Sequence, residues 1–300
     1  MTSFPLVSIV VLTKNRAESL RRTLDALAGL TYSNYETIVV NNGSTDGTAA
    51  VIANYSVNPI FCPEPNISFC RQRGIEAAKG EIIAMCDDDC VPAQDWLNHL
   101  VAALTAKEEI ALVGGEVINI GFPEEQRYKG RGKIARHGEL KPAINPEEAD
   151  YFGSANMAFR RSAFEAIAGY DLFFKNAYEE VDLIVRLRQA GFQTAYEPKA
   201  SVKHYFTGIN YKMNLFFSGT LFRLYFYFKH YCPHSVGSWL SFCCYEFFLL
   251  GKNLFFGVRK LGETIIKGEF KFRTTLIWIL NSVIGRLAIP WLLWRMDGKN

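Results

Sequence analysis

Apolar positions along this chain recur in two rhythms. Short apolar runs at 7–12, 37–40, 81–86, 110–113 and 194–204 have the length and polar boundaries of buried strands. Between them the spacing is helical. Leu20, Leu24 and Leu27 share one face behind Asn15 and Glu18, which have capping-box spacing, and 66–79 forms a further helix. Trp96, Leu97, Leu100, Val101 and Leu104 form one stripe. Ser162 and Glu165 repeat the capping-box spacing before a helix that Gly169 stops, and a last helix opens at Glu179 and Glu180 and is closed by Gly191. This alternation predicts an α/β fold, a mostly parallel sheet with flanking helices. The pattern lapses between Gly121 and Asp150, which reads as a long lid or binding loop. There is no internal repeat.

Past Tyr205 the rhythm changes to long aromatic runs at 214–228, 239–250 and 275–294. The net charge of +3 hides an asymmetry: residues 1–202 carry −6, whereas 203–300 carry +9 together with 23 of the 42 aromatic residues. Bulky rings mixed with Lys and Arg suit a membrane interface, and the long apolar runs argue against nucleic acid as the partner. The run at 275–294 is long enough to span a bilayer, but Arg286 near its centre would cost about 2.5–3.5 kcal/mol there. Thr275, Ser282 and Arg286 fall on one helical face. Helices lying in the interface are therefore favoured over a transmembrane hairpin, with a soluble helical subdomain as the alternative. The seven cysteines include no CxxC pair and fit reduced thiols of a cytoplasmic protein. The apolar start at 4–12 lacks basic flanks and reads as a first strand and not a signal peptide.

The candidate chemistry begins at EIIAMCDDDC (81–90), where an apolar strand ends in Asp87, Asp88 and Asp89. One Asp would serve a turn or a helix cap. Three at the carboxyl end of a strand, where open α/β sheets bind ligands, point to a divalent cation held by oxygen atoms. The turn NNGSTDGT (41–48) is a second polar break after a strand, and Asp46 there suits either a cap or a ligand. Glu179 and Glu180 open a helix, where the macrodipole also stabilises acids.

LVSIVVLTKNR, VVNNGSTDGT, RQRGIEAAKGEIIAMCDDD, GSANMAFRRSAF, and YEEVDLIVRL followed by EPKASVKH stand in an order that resembles the family 2 glycosyltransferases over residues 6–206. The resemblance implies the GT-A fold, a Rossmann-like domain that uses a nucleotide-diphosphate sugar and Mn²⁺ or Mg²⁺. It implies Asp87 and Asp89 as metal ligands with His204 nearby, and Asp88 between them. Thr13, Asn15, Arg16, Asn41, Asp46 and Arg71 fall on the nucleotide side, and Glu180 takes the position of the catalytic base of an inverting reaction, with Glu179 and Asp182 as alternatives. Gly153, Ser154, Ala155 and Asn156 match the loop facing acceptor and sugar.

Three positions depart from the family pattern. Glu180 replaces Asp, Asn41 replaces the Asp that accepts the uracil N3 proton, and Gln72 replaces an Asn. The expected organisation is a catalytic domain at 1–206, with the nucleotide-sugar side at 1–118 and the acceptor side at 150–206, followed by a basic membrane-associating region at 207–300. The expected enzyme works peripherally at the cytoplasmic membrane face, takes UDP- or dTDP-sugar, and glycosylates a lipid-linked or surface-glycan acceptor. An inactive nucleotide-sugar-binding scaffold and a nucleotidyltransferase are the competing classes. The lack of a Gly- and Lys-rich phosphate loop near the first strand counts against the latter.

Overall fold

The computed structural model describes residues 4–121, 130–205, 212–231, 235–266, 283 and 286–292. The chain divides into two units, one of residues 1–134 with 140–207 and the other of 135–139 with 208–300.

The first unit is built on eight strands: β1 Val7–Thr13, β2 Tyr35–Asn41, β3 Asn58–Phe61, β4 Ile82–Asp87, β5 Cys90–Pro92, β6 Ile110–Asn119, β10 Asn156–Arg160 and β11 Gln193–His204. They lie in the order β3-β2-β1-β4-β10-β6-β11-β5. Pairing is parallel across β3-β2-β1-β4 and between β6 and β11, while β10 runs antiparallel to both β4 and β6. The reversal of β10 leaves β1, β2, β4, β6 and β11 pointing the same way. Thr13, Asn41, Asp87, Asn119 and His204 therefore end on one edge, and Asn156 enters β10 there opposite Cys86.

Helices α1 Ala17–Ala28, α2 Thr48–Ala53, α3 Ile67–Ala77, α4 Trp96–Thr105, α5 Arg161–Ala166 and α6 Glu179–Gln189 flank the sheet. The Val- and Ile-rich strands present apolar side chains on both faces, as strands covered on both sides must. Leu20, Leu24 and Leu27 of α1 and Trp96, Leu97, Leu100 and Leu104 of α4 bury against one face, and Leu183, Ile184 and Leu187 of α6 against the other. Each such side chain contributes about 1.5–3 kcal/mol of transfer free energy.

The structure corrects several expectations. Neither capping box forms. Asn15 takes a left-handed φ of 53°, which Asn tolerates, and its Oδ1 accepts from the Thr45 backbone N–H at 2.7 Å, so it ties the first loop to the second. Ser162 lies inside α5, which starts directly after β10. The segment read as a long loop carries structure from Gly130 onward: β7 Arg131–Ile134, β8 Leu140–Pro142 and β9 Tyr151–Phe152 form a three-stranded antiparallel sheet. Residues 122–129 of that loop lie outside the described residues. Strand β6 runs through Gly114 and Gly115 to Asn119, past the expected end. Gly115 is required because a Cβ would stand 2.2 Å from the Ala200 carbonyl oxygen and 2.4 Å from Asn156 Nδ2.

In the second unit, α7 Lys212–Tyr231 and α8 Val236–Ile266 carry an aromatic core in which Tyr227 and Phe242 stack at 5.1 Å. His137 packs edge-on against both rings. Arg223 Nη2 donates to both carboxylate oxygens of buried Glu246 at 2.7 Å, and Arg286 Nε reaches Glu246 at 3.0 Å. The cation expected to be costly in an apolar run thus has a carboxylate partner. Thr275 and Ser282, predicted to share its face, lie outside the described residues. Val236, Leu240, Phe247, Phe248 and Phe255 follow one face of α8 and are 61–77% exposed. Among the described residues no helix is long and apolar enough to cross a membrane.

Candidate active site

The strand ends bring most of the predicted polar residues to one edge. Asp88 and Asp89 are buried at 4% and 5% exposure. Thr13 Oγ1 donates to Asp88 Oδ2 at 2.7 Å, and Arg16 Nη1 donates to Asp88 Oδ1 at 2.9 Å and to Asp89 Oδ2 at 2.6 Å. His204 Nε2 lies 3.0 Å from Asp89 Oδ1, and the backbone N–H of Tyr205 donates to the Asp89 carbonyl at 2.8 Å. Burial, joined by the neighbouring carboxylates, raises the Asp88 pKa to about 6 against the pull of Arg16 and Thr13. For Asp89 burial acts upward too, but His204 and Arg16 outweigh it and hold the carboxyl below its usual range. His204 is the reverse case: burial lowers its pKa, and Asp89 more than restores it, leaving it raised.

One residue of this cluster escaped the sequence reading. Asn119, 3% exposed at the end of β6, places Oδ1 2.7 Å from His204 Nδ1. That contact sets the ring hydrogen on Nδ1 and directs Nε2 toward Asp89. Its only sequence signal was a lone Asn closing a strand whose end lay beyond the expected one.

A second group faces the first across Arg71. Arg71 Nη1 pairs with Glu179 Oε1 at 2.5 Å, and its Nη2 lies 3.5 Å from Asp87 Oδ1. Burial opposes the Arg71 charge, yet Glu179 and Asp87 raise its pKa overall. Arg71, expected on the nucleotide side, links the end of β4 to the start of α6. Beside it, Glu180 Oε2 is shut off from solvent and has no hydrogen-bond partner among the described residues. Burial first, and then the Glu179 charge, push the Glu180 pKa to about 8.

The other predicted residues are held by contacts within the fold. Asp182 is fully buried and accepts from Arg186 Nε at 2.7 Å, and that guanidinium also donates to the carbonyls of Ile167 and Gly169. Asp46 Oδ1 accepts from Thr48 N–H at 3.0 Å and Asp46 Oδ2 from Ala17 N–H at 3.3 Å, which joins the starts of α1 and α2. Asn41 Oδ1 accepts from Ser44 N–H at 2.9 Å. Asn156 accepts from Trp96 Nε1 at 2.8 Å and donates to the carbonyls of Glu116 and Ala200 at 2.8 Å, holding β6 and β11 where their register shifts. Gly153 N–H donates to Gly130 O at 2.6 Å, with buried Ser154 beside it. Gln72 Oε1 accepts from Tyr170 N–H at 3.2 Å.

The ligand atoms of Asp89, Cys90 and His204 lie within 4.8 Å of one another. Cys90 shares a hydrogen bond with Cys86, which with burial drives its thiol well above the usual range, so it keeps its proton. The oxygen and nitrogen donors of Asp89 and His204 fit a hard divalent ion such as Mn²⁺ or Mg²⁺. Asp87, the third expected ligand, faces Arg71.

A mixed eight-stranded sheet with flanking helices and an acidic cluster at its carboxyl edge is the architecture of the GT-A class. The family model for glycosyl transferase family 2 matches residues 8–168, and the chain belongs to that family. It is 37% identical over 179 residues to the glycosyltransferase AglE of Haloferax volcanii, covering 57% of this chain and 58% of that protein. It is 28% identical over 205 residues to the pre-mycofactocin glycosyltransferase of Mycobacterium tuberculosis H37Rv, covering 66% of this chain and 42% of the relative. The chain thus spans about half the length of these relatives. Among solved structures it resembles the mannosyltransferase PcManGT of Pyrobaculum calidifontis in complex with GDP-Man and Mn²⁺ (TM-score 0.56, 16% identity, 97% of this chain and 88% of that one). It also resembles GalNAc-T7 with UDP, GalNAc and Mn²⁺ (TM-score 0.59, 19% identity, 69% of this chain and 45% of that one).

Proposed function

We propose that this chain transfers a sugar from a nucleotide-diphosphate sugar, UDP- or dTDP-linked, to a hydroxyl of a lipid-linked or surface-glycan acceptor with inversion at the anomeric carbon. The observation that carries this reading is the half-buried Glu180, whose Oε2 is shut off from solvent without a partner among the described residues beside the acidic edge where the donor would lie, and whose pKa burial and Glu179 raise to about 8. A base whose pKa lies near the working pH combines a usable deprotonated fraction with strong proton affinity. Glu180 takes the acceptor hydroxyl proton as that oxygen attacks the anomeric carbon from the side opposite the leaving group. The bond from that carbon to the donor phosphate oxygen breaks, and its electron pair leaves with the nucleoside diphosphate. Asp89 and His204 would hold the divalent ion, which when bound neutralises charge on the departing diphosphate. Arg71 fixes Glu179, and with it the first turn of α6, against β4.

The domain reading accompanies this one: catalysis in 1–206 and membrane association in 207–300. The exposed apolar face of α8 and the excess of basic residues in the tail support a peripheral attachment to anionic lipid on the cytoplasmic side. A thermal-shift panel of UDP-, dTDP- and GDP-sugars with Mn²⁺, followed by product analysis, tests the function. The expected result is a stabilising donor whose transfer gives the inverted linkage. Stabilisation without turnover on any acceptor would instead favour a binding protein.

A further inference from the structure

Arg16 carries an inference that rests on the donor-binding reading above. The residue stands immediately before α1, with its backbone N–H on Thr48 Oγ1 at 3.2 Å. Its side chain is 32% exposed, yet a single nitrogen, Nη1, lies within 2.9 Å of Asp88 Oδ1 and 2.6 Å of Asp89 Oδ2. Those two side chains are only 6% and 4% exposed, and adjacent buried carboxylates need positive charge between them. Arg71 is engaged with Asp87 and Glu179, and His204 meets the other oxygen of Asp89, so Arg16 is the cation that spans the Asp88–Asp89 pair.

A divalent ion ligated by Asp89 needs the same electrostatic position. A guanidinium and a doubly charged ion on one carboxylate repel strongly where little water screens them. A diphosphate is the natural second home for the guanidinium, because its oxygens accept paired N–H donors, and the solvent-facing side of Arg16 gives it room to turn. We propose that Arg16 is a built-in counter-cation that competes with the divalent ion for Asp88 and Asp89, so that the ion binds tightly only once a nucleotide diphosphate draws the guanidinium away. Arg16 then couples the two ligands, and each strengthens the other by the same factor.

The test is Mn²⁺ titration of the full chain by calorimetry and by the electron paramagnetic resonance signal of free Mn²⁺, with and without UDP. Without nucleotide, Arg16→Gln is expected to bind Mn²⁺ at least about fivefold tighter than the parent, the lower end of usual coupling factors. UDP should tighten Mn²⁺ binding in the parent more than in this variant, and Arg16→Lys should behave as the parent does. Removing Arg16 alone leaves two carboxylates facing each other, so Arg16→Gln/Asp88→Asn, which relieves that repulsion and keeps Asp89, is titrated alongside and should show the same gain. Equal or weaker Mn²⁺ binding in both Gln-containing variants, with UDP-assisted binding intact in the parent, would overturn the Arg16 role alone. No Mn²⁺ binding by any of the proteins, even with UDP, would overturn it together with the metal-dependent reading.

Discussion

Replacing Glu180 by Gln should disable the enzyme and make it more stable. Burial and the adjacent Glu179 move the carboxyl from an ordinary 4.5 to about 8. Between those pH values the folded protein holds a proton that the unfolded chain has released. Stability therefore falls as pH rises through this window, and the loss is complete above about 8 and absent below about 4.5. At about 1.4 kcal/mol per pKa unit, the ceiling on this loss is about 5 kcal/mol. Gln keeps the shape and cannot ionise, so the variant escapes the loss. Melting by circular dichroism should show parent and variant together near pH 4.5 and apart at pH 8, where a shift of about 2–4 °C per kcal/mol sets the ceiling of the variant's gain at roughly 10–20 °C. In the same protein the transfer rate should fall by about 10²–10⁴ while donor affinity stays near that of the parent. In the parent, kcat/KM should rise with pH through an apparent pKa near 8. A variant that melts lower than the parent at pH 8, or whose difference from it does not grow with pH, would refute the assignment of a strained buried carboxyl, and retained transfer would move the base elsewhere.

Asn119→Ala removes the oxygen that orients His204 and should weaken Mn²⁺ binding in the presence of UDP by roughly 10- to 100-fold, read by calorimetry. Gly115→Ala forces a Cβ against the Ala200 carbonyl and Asn156, and urea unfolding should show a loss of roughly 1–3 kcal/mol. The double change Phe247→Glu and Phe248→Glu, on the exposed face of α8, should abolish co-sedimentation with anionic phospholipid vesicles. Transfer to a water-soluble acceptor should continue at the parental rate.

Strands β1 and β4 and helices α1, α4 and α6 were legible because each buries its own apolar pattern, so local periodicity and tertiary burial agree. The acidic edge was legible for a related reason: three carboxylates cannot follow an apolar strand without compensation, and Arg16 and His204 supply it. Strand β10 was not legible. Its five residues follow a polar turn, end in Arg160 and run straight into α5, and only pairing with β4 and β6, more than forty residues away, makes them a strand. The same distance hid the role of Asn156, whose amide serves strand partners that no local spacing predicts, and that of Asn119. The partner of Arg71 was hidden in the same way, because the fold brings Glu179 to it from 108 residues away.

The reversed strand at the centre of the sheet also bears on biosynthesis. A ribosome that has released only the first 120 residues has made β4 and β6 but not the segment that stands between them. Until residues 156–160 emerge, the apolar flank formed by Ile82 to Cys86 has unpaired backbone groups along one side, an invitation to pairing between nascent chains. Premature termination within that interval should therefore leave insoluble fragments, and chaperone capture should peak there and decline once Arg160 has cleared the exit tunnel.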